Sequence, residues 1–314
     1  MTPTVICIGE CMVELARTHT GQFSLSFGGD TFNTATYIAR MRNVTSRYVT
    51  ALGDDQYSDG IVARAEAEGI DTCLIARCVD RMPGLYMIET DASGERTFWY
   101  WRDRAPAREL FAYVDRKALH AAVTEAGIVY ISGVTLSILD ESGRDALAEL
   151  LKAAKTAGAQ IAMDSNFRPR AWVKDRDQAR EVFARFWRMA DIALPTFDDE
   201  QVLWGDTAPE RTADRLQDFG AREIVVKSGY RPALIQSDGT LSWSVPEAVQ
   251  SPVDTTAAGD AFNAGYLAAR LRDRAPEDAA RFAHKLAARV IEHRGAIIPR
   301  AETDDVYDMI EGAV

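Results

Sequence analysis

The chain has 314 residues, of which 47% are hydrophobic and 26% charged, a balance typical of a folded globular protein and not of a disordered one. Its 36 Lys and Arg residues against 47 Asp and Glu residues give a formal net charge of −11, which argues against a nucleic-acid partner. No apolar run approaches the roughly eighteen residues that a membrane span needs, so we expect no membrane partner. An anion would therefore have to bind at a local cluster of positive groups.

The first residues and the cysteines indicate the compartment. The segment MTPTVICIGECMVEL has no basic lead and reaches Gly9 and Glu10 early, so it is predicted to be a first strand and not a signal peptide. The cysteines are Cys7, Cys11, Cys73 and Cys78. They show no paired zinc spacing, which favours small buried thiols in a reducing environment. We therefore expect a cytoplasmic protein.

In chain order, short β-prone runs alternate with stretches of helical periodicity. The predicted strands comprise residues 5–8, 48–52, 128–132, 160–164, 192–195 and 223–227. The predicted helices lie near residues 31–41, 116–125, 143–156, 178–188 and 209–219. This alternation predicts an α/β fold, with a mostly parallel central sheet flanked by helices. No repeat or linker divides the chain, so residues 1–314 are expected to form a single domain.

One region interrupts this alternation. Two β-prone runs, residues 85–90 and 95–101, are joined by the turn sequence DASG at 91–94, with no helix between them. We expect an antiparallel hairpin apart from the main sheet. It would form part of a small β lid, over about residues 85–102, that covers a ligand cleft or contacts a second subunit.

The hairpin is rich in aromatic residues, and their alternation predicts two different faces. Tyr100 and Arg102 should share one face of the strand, while Trp99 and Trp101 share the other. Both functions of the lid are therefore compatible, because one face can serve a ligand while the other serves a subunit contact or the core. We accordingly expect a homo-oligomer formed through the lid.

The sharpest motif is DTTAAGD at residues 254–260, which opens a segment with the apolar periodicity of a helix. Backbone N–H groups of the small residues 257–259 would be unpaired at the helix start, where the helix dipole favours a phosphate. Asp260 in the first turn could then accept the proton of an attacking hydroxyl. The spacing alone fits equally well a structural helix that Asp254 or Thr256 caps.

Three further loops are expected at the same edge of the sheet. Residues 28–33, GGDTFN, place two glycines before a helix, where glycine permits close approach of a ligand. Residues 164–170, DSNFRPR, follow a predicted strand, and residues 227–229, KSG, end another. Each alone fits a plain turn. In open α/β sheets ligands bind beyond the carboxyl ends of the strands, so four such loops together predict a ligand site.

These motifs resemble those of the ribokinase-like (PfkB) carbohydrate kinases, in the same order and over essentially the whole chain. The resemblance is closer to one branch, the 2-keto-3-deoxygluconate kinases. DTTAAGD, with Ala257 where many relatives have glycine, also fits that branch. Other segments typical of it are IGECM at 8–12, PGLY at 83–86, GERTF at 94–98, NFRPR at 166–170 and HRGAIIP at 293–299.

The resemblance implies a ribokinase-like fold and transfer of the γ-phosphoryl group of ATP, held with Mg²⁺, to a sugar acid, giving 2-keto-3-deoxy-6-phosphogluconate. It implies that Asp260 is the catalytic base and that Ala257, Ala258 and Gly259 form the anion hole and contact the nucleotide. The other expected nucleotide contacts are Asn166, Arg168, Lys227, Ser228 and Gly229. The expected substrate contacts are Gly28, Gly29, Asp30, Asn33, Tyr86, Tyr100, Arg102, Arg168 and Asp260.

The residue types agree with an acidic substrate. Arg102 and Arg168 are candidate partners for its carboxylate, because the arginine fork suits carboxylates and phosphates. The hydroxyls of Tyr86 and Tyr100 are expected to add hydrogen-bond donors from the hairpin. Neutral sugars and nucleosides would have no need of these arginines.

One segment departs from the family pattern. Where relatives often have an Asn-x-x-Glu segment tied to magnesium, this chain has Thr196 and Asp199. Asp199 is therefore a weak candidate for magnesium binding. Ordinary surface acidity explains it equally well.

Three alternatives stay open. The first is a kinase of the same fold that acts on fructose, ribose or another sugar acid. The second is a nucleotide- or sugar-binding sensor without catalysis, against which the presence of Asp260 in an intact DTTAAGD argues. The third is an NAD-dependent enzyme, which is disfavoured because the first strand is followed by Gly9 and Glu10 and not by GxGxxG.

Overall fold

The computed structural model describes residues 2–18, 20–90, 96–172 and 176–311. Its strands are β1 (Thr4–Ile8), β2 (Met12–Arg17), β3 (Phe23–Gly28), β4 (Thr45–Gly53), β5 (Ile75–Cys78), β6 (Leu85–Thr90), β7 (Arg96–Trp101), β8 (Ile128–Ser132), β9 (Gln160–Asp164), β10 (Ile192–Ala193), β11 (Glu223–Ser228), β12 (Arg231–Ser237) and β13 (Thr240–Ser244). Its α-helices are α1 (Asp30–Ala39), α2 (Gln56–Glu68), α3 (Leu110–Tyr113), α4 (Arg116–Thr124), α5 (Gly133–Ile138), α6 (Glu141–Thr156), α7 (Arg176–Trp187), α8 (Phe197–Trp204), α9 (Pro209–Phe219), α10 (Ala258–Arg270), α11 (Pro276–Ile291) and α12 (Asp304–Glu311).

Nine strands form the central sheet, in the order β13-β12-β11-β10-β9-β8-β1-β4-β5. The strands from β11 to β5 in that order pair in parallel, and β12 and β13 extend the sheet by antiparallel pairing. The predicted α/β fold with a mostly parallel sheet is confirmed. All six predicted strands and five predicted helices are present, with ends displaced by at most a few residues.

The central sheet carries a hydrophobic core on each face, as parallel strands joined by helices require. Along β1, Ile6 and Ile8 belong to the core that α4, α6 and α7 cover. The alternate residues Val5 and Cys7 belong to the opposite core, which α1, α10 and α11 cover. Helix α10, which begins within the DTTAAGD motif, is thus packed against the sheet.

A second, four-stranded sheet has the order β3-β2-β6-β7. The β6–β7 pair is antiparallel and separate from the central sheet, as predicted, while its predicted turn at 91–94 lies outside the described residues. The strand register places two rows of side chains on opposite faces. One row comprises Ser26, Glu14, Tyr86 and Tyr100, and the neighbouring row comprises Leu25, Leu15, Met87 and Trp99.

Two further expectations concern the helices, which should not span a membrane, and the cysteines, which should be buried. Among the described residues, every helix is too short or too polar to cross a bilayer. Cys7, Cys11 and Cys78 are buried free thiols, as expected. Cys73 is exposed, so the prediction of buried thiols is wrong at that position.

Candidate active site

The four loops singled out in the sequence meet at one edge of the central sheet. Asn33 at the start of α1 donates a hydrogen bond from Nδ2 to Oδ2 of Asp260 over 2.8 Å. Asn166 beyond β9 donates from Nδ2 to Oδ2 of Asp30 over 2.7 Å. These contacts join residues 227 and 136 positions apart in the chain. The prediction that the loops converge on one place is confirmed.

The start of α10 presents free backbone donors. Ala257 precedes the helix with a left-handed backbone, φ 59°, and its own side chain makes no capping hydrogen bond. Among the described residues, the N–H groups of Ala257 and Gly259 have no acceptor. The N–H of Ala258 donates to the carbonyl of Thr255 over 3.3 Å, so the prediction of a free N–H is wrong for Ala258. Two outward amides still provide an anion site at the positive end of the helix.

The alternative that Asp254 or Thr256 caps α10 does not hold. The Asp254 carboxylate accepts hydrogen bonds from the backbone N–H groups of Thr256, at 2.7 Å, and of Gly295, at 2.9 Å. It therefore ties the turn before the helix to the segment after α11. This tie shapes the loop without occupying the free donors of the helix start.

Packing does not require a glycine at position 259. A Cβ atom at Gly259 would meet only Nζ of Lys227, at 3.7 Å, which is an ordinary contact distance. There is thus room beside the backbone at Gly259 for at least one further carbon atom. Gly28 and Gly29 differ, because a Cβ at Gly29 would collide with the carbonyl of Glu10 and one at Gly28 would lie 2.6 Å from the Tyr86 hydroxyl.

Asp260 has the electrostatic setting of a general base. Its pKa is raised to about 7, chiefly by burial and next by the negative charge of Asp30, while the hydrogen bond from Asn33 acts in the lowering direction. A carboxylate with a pKa near neutrality accepts a proton from a hydroxyl more readily than an ordinary aspartate does. Its position, one residue after the free amide of Gly259, puts base and anion site side by side.

A buried polar network joins the first turns of α10 to the central sheet. Nζ of Lys227 contacts Oδ2 of Asp164 over 2.9 Å and Oδ1 of Asn263 over 2.8 Å. Asn263 in turn donates to Asp164 over 2.7 Å and to the hydroxyl of Tyr130 over 3.0 Å. Neither Asp164 nor Asn263 was among the predicted site residues. The signal was present, since Asp164 ends a predicted strand and Asn263 lies one helical turn beyond Asp260.

The other residues expected at the nucleotide lie around this network. Ser228 is buried, and its Oγ has no partner among the described residues. Gly229 is exposed and adopts φ 62°, a left-handed backbone that favours glycine. Asn166 also has a positive φ, 32°, and its side chain is committed to Asp30. An unpaired hydroxyl and a turn at the open edge are compatible with a bound ligand.

Two buried carboxylates that were not predicted from the sequence hold the lid residues. Arg102 forms an ion pair with Glu10, and its guanidinium lies 5.7 Å from the ring centre of Tyr100. Burial raises the pKa of Glu10, and the charge of Arg102 opposes that rise. The hydroxyl of Tyr86 donates a hydrogen bond to Glu14. Tyr86 therefore offers an acceptor and not a donor to its other side, contrary to expectation.

Arg168 is exposed between the lid and the central sheet. Its charge lowers the pKa of Tyr100, which burial raises, and it also lowers the pKa of Asp199. Arg168 and Arg102 are thus two positive groups whose charges act on Tyr100. That these two arginines bind an anion stays a prediction.

Asp199 lies near the site but is already engaged. Its Oδ2 accepts the backbone N–H of Phe167 over 3.1 Å, and burial raises its pKa to about 6. Within the described ranges, no three His, Cys, Asp or Glu side chains cluster as a metal cage would require. Magnesium bound mainly through phosphates needs only one or two protein carboxylates, and Asp199 fits that need. Its magnesium role stays a prediction.

Comparison with known proteins agrees with this geometry. A model of the "pfkB family carbohydrate kinase" matches residues 2–304. The chain is 41% identical over 307 residues to the 2-dehydro-3-deoxygluconokinase of Escherichia coli K12, covering 96% of this chain and 98% of that protein. It is 40% identical over 305 residues to the enzyme of that name from Dickeya dadantii, covering 95% and 97%. The fold matches a putative ribokinase II from E. coli in complex with ATP and Mg²⁺, with a TM-score of 0.83, 21% identity, and coverage of 99% and 98%. The chain belongs to the pfkB family of carbohydrate kinases.

Proposed function

We propose that the protein transfers the γ-phosphoryl group of ATP to 2-keto-3-deoxygluconate and forms 2-keto-3-deoxy-6-phosphogluconate. One observation carries the reaction type: Asp260, whose pKa is raised to about 7, lies directly beside the free N–H groups that open α10. That pairing supplies a base and an anion site at one point. The names of the relatives at 40% and 41% identity support the substrate.

In this mechanism the residues position two reactants and balance charge. ATP, with Mg²⁺ on its phosphates, supplies the phosphoryl group; Asp199 would contact the metal, and Asn166 and residues 227–229 the nucleotide. The N–H groups of Ala257 and Gly259 would stabilise the charge that develops on the transferred group. Asp260 would take the proton of the attacking hydroxyl, and Asn33 would hold the Asp260 carboxylate in place through its 2.8 Å hydrogen bond.

The acidic end of the substrate fits the lid. The guanidinium of Arg102 lies beside Tyr100, and the charge of Arg168 acts on the same residue. A sugar acid lying between these arginines and Asp260 would place its carboxylate near the guanidinium groups. Gly28 and Asn33 would border its hydroxyls. A neutral sugar such as fructose or ribose would leave the arginines unused, which is why we favour the acid over these alternatives.

We also propose how the protein is organised in the cell. The chain would act as a single kinase domain with a β lid, in the cytoplasm where ATP is available, and as a homo-oligomer joined through the lid. The outer face of the lid sheet supports the last point. Phe23, Leu25, Trp99 and Trp101 there are each about half exposed, as side chains that pack against another subunit would be in an isolated chain.

A coupled assay of ADP release tests the function. The purified protein is given Mg²⁺-ATP with 2-keto-3-deoxygluconate, its galactonate-derived epimer, fructose or ribose. We expect saturable turnover on the sugar acids and little on the neutral sugars. Turnover mainly on a neutral sugar would contradict the substrate, and ATP binding without turnover on any of the four would favour the sensor.

A further inference from the structure

A buried carboxylate in the lid sheet determines which way the Tyr86 hydroxyl points. Glu14 is 5% exposed and accepts one hydrogen bond on each oxygen, from Oγ of Ser26 over 2.7 Å and from the Tyr86 hydroxyl. A carboxylate can only accept, and a phenol has a single proton. The proton of Tyr86 is therefore committed to Glu14, and only its oxygen lone pairs remain for another partner.

The Tyr86 oxygen lies against the turn at residues 28–33. The Tyr86 oxygen and Oδ1 of Asn33 lie 2.6 and 3.7 Å from the point that a Cβ atom at Gly28 would occupy. Nδ2 of Asn33 donates to Asp260, and Oδ1 of this buried side chain has no donor among the described residues. Two acceptors thus lie close to Gly28, and one of them belongs to the side chain that binds the base. A buried acceptor without a donor is costly, so this place favours a ligand that brings donors.

We propose that Glu14 is a positioning residue that fixes Tyr86 as a hydrogen-bond acceptor, so that the site selects a substrate whose hydroxyl donates a hydrogen bond to Tyr86. The inference deepens the proposed function and rests on it for the sugar-acid substrate. Tyr86 and Asn33 would each accept a hydrogen bond from a sugar hydroxyl. The arginines recognise the charge of the substrate, and the Glu14–Tyr86 pair recognises the direction of its hydroxyl hydrogen bonds.

Deoxyfluoro analogues of the substrate provide a direct test. Fluorine is close to a hydroxyl in size but cannot donate a hydrogen bond, so an acceptor-only Tyr86 should reject it. We compare kcat/KM for 2-keto-3-deoxygluconate with that for analogues carrying fluorine in place of the C4 or the C5 hydroxyl. For the wild-type enzyme we expect a loss of at least about tenfold at one of these positions, as for a lost hydrogen bond to a buried group.

The variant Glu14→Gln then separates positioning from packing. The amide keeps the size of the side chain, and it can accept from Ser26 with its oxygen while it donates to Tyr86 with its nitrogen. The proton of Tyr86 becomes free to point toward the sugar, where it can face fluorine. We expect the ratio of kcat/KM between the hydroxyl and the fluoro compound to fall by about tenfold. A ratio unchanged at both positions would overturn the proposal.

Two control variants show whether Glu14 acts through the Tyr86 hydroxyl or through packing. Ser26→Ala removes the other hydrogen bond to Glu14 but leaves the bond to Tyr86, so its ratio should remain that of the wild type. Tyr86→Phe removes the acceptor and should lower the ratio as Glu14→Gln does. If Ser26→Ala and Glu14→Gln lower the ratio equally, Glu14 acts only by packing and the proposal is wrong.

The same series separates this inference from the proposed function. Absence of wild-type turnover on the unmodified acid would contradict the proposed function alone. The ratio would then be measured with the neutral sugar that the enzyme phosphorylates, or by calorimetry with the sugar that it binds, and with the deoxyfluoro analogues of that sugar. A fall of the ratio in Glu14→Gln would still support the positioning of Tyr86, and its constancy would still overturn it.

Discussion

Asp260 is the residue whose environment most directly predicts a kinetic property. Its pKa of about 7 reflects burial and the charge of Asp30, opposed by the hydrogen bond from Asn33. A base works in its deprotonated form, so kcat/KM should rise with pH up to about 7 and level off above it. Asn33→Ala removes the hydrogen bond that lowers the pKa of Asp260, so the rise of kcat/KM should shift to higher pH. If kcat/KM of that variant rises over the same pH range as in the wild type, Asp260 is not the group that titrates.

Replacement of the base separates its chemistry from its effect on folding. Asp260→Asn should retain the fold and substrate binding, while kcat falls by about 10²–10⁴-fold because no general base remains. The folded state raises the pKa of Asp260, so the stability that this group contributes is present at low pH and is lost as pH rises through about 7. Thermal unfolding at pH 8 should therefore show the variant at least as stable as the wild type. Near-wild-type turnover in Asp260→Asn would show that Asp260 is not the general base.

The two arginines should differ in what their loss does to stability. Arg168 is exposed, so Arg168→Ala should raise KM for the sugar acid more than KM for fructose and leave the melting temperature unchanged. Arg102 is paired with the buried Glu10, so Arg102→Ala should raise the same KM and also lower the free energy of unfolding by about 1–3 kcal/mol. Steady-state kinetics on both substrates and denaturant unfolding check these outcomes. Equal effects on acid and neutral sugar would contradict carboxylate recognition.

At the start of α10, the glycine at position 259 lowers helix stability and leaves room for a ligand. Gly259 lies in the first turn, where a Cβ atom would meet only Lys227 at an ordinary distance. Alanine is the better helix former by about 0.5–1 kcal/mol, so Gly259→Ala should leave the protein as stable or more stable. Its methyl group would occupy the space where a phosphate approaches the amides, and kcat/KM for ATP should fall at least about tenfold.

Gly143→Ala in the first turn of α6, remote from the site, is the control for adding a methyl group to the start of a helix. It adds the same methyl group to a helix but meets side-chain atoms of Leu139 and Asp140 at 3.1–3.3 Å, so it should not stabilise the protein and should leave kcat/KM for ATP unchanged. Calorimetric unfolding and ATP kinetics are measured for both variants. A Gly259→Ala variant with wild-type ATP kinetics would show that this glycine does not serve the nucleotide.

The elements differ in how far the sequence predicts them. Strand β8 is buried throughout and β9 is buried after its first residue, and the ends of both were predicted to the residue. Strands β3 and β13 lie at sheet edges with mostly exposed side chains, and their weak apolar pattern left them unpredicted.

The same division applies to the site. Loops with a local signature, such as DTTAAGD, were found because their chemistry lies within a few residues. Glu14 was missed because its partner Tyr86 is 72 positions away. Asp164 and Asn263 each lie next to a predicted motif, but their pairing joins residues 99 positions apart. Pairings of this kind depend on the strand register and on the approach of α10 to the central sheet, which no local pattern reports.

At the scale of the whole molecule, the alternation of its strands gives the lid sheet two different faces. The row of Ser26, Glu14, Tyr86 and Tyr100 faces the site, and the row of Leu25, Leu15, Met87 and Trp99 faces away from it. A change on the outer row should therefore affect assembly more directly than ligand contacts. The proposed substrate contacts and the proposed subunit contact would therefore not compete for the same face of the lid.

This separation predicts the outcome of placing charge on the outer row. In a lid-joined oligomer, Leu25→Glu together with Trp99→Glu would bring like charges into the interface and add their desolvation cost, so the assembly should dissociate to monomers. Sedimentation velocity over a range of concentrations measures the state of the protein. Val202→Glu on α8, at a side chain of similar exposure outside the lid, is the matched control and should sediment as the wild type. A wild-type protein that is already monomeric, or a double variant that remains oligomeric, would contradict assembly through the lid. If monomers form but KM for the sugar acid rises as well, the lid needs its partner to hold the row that faces the site.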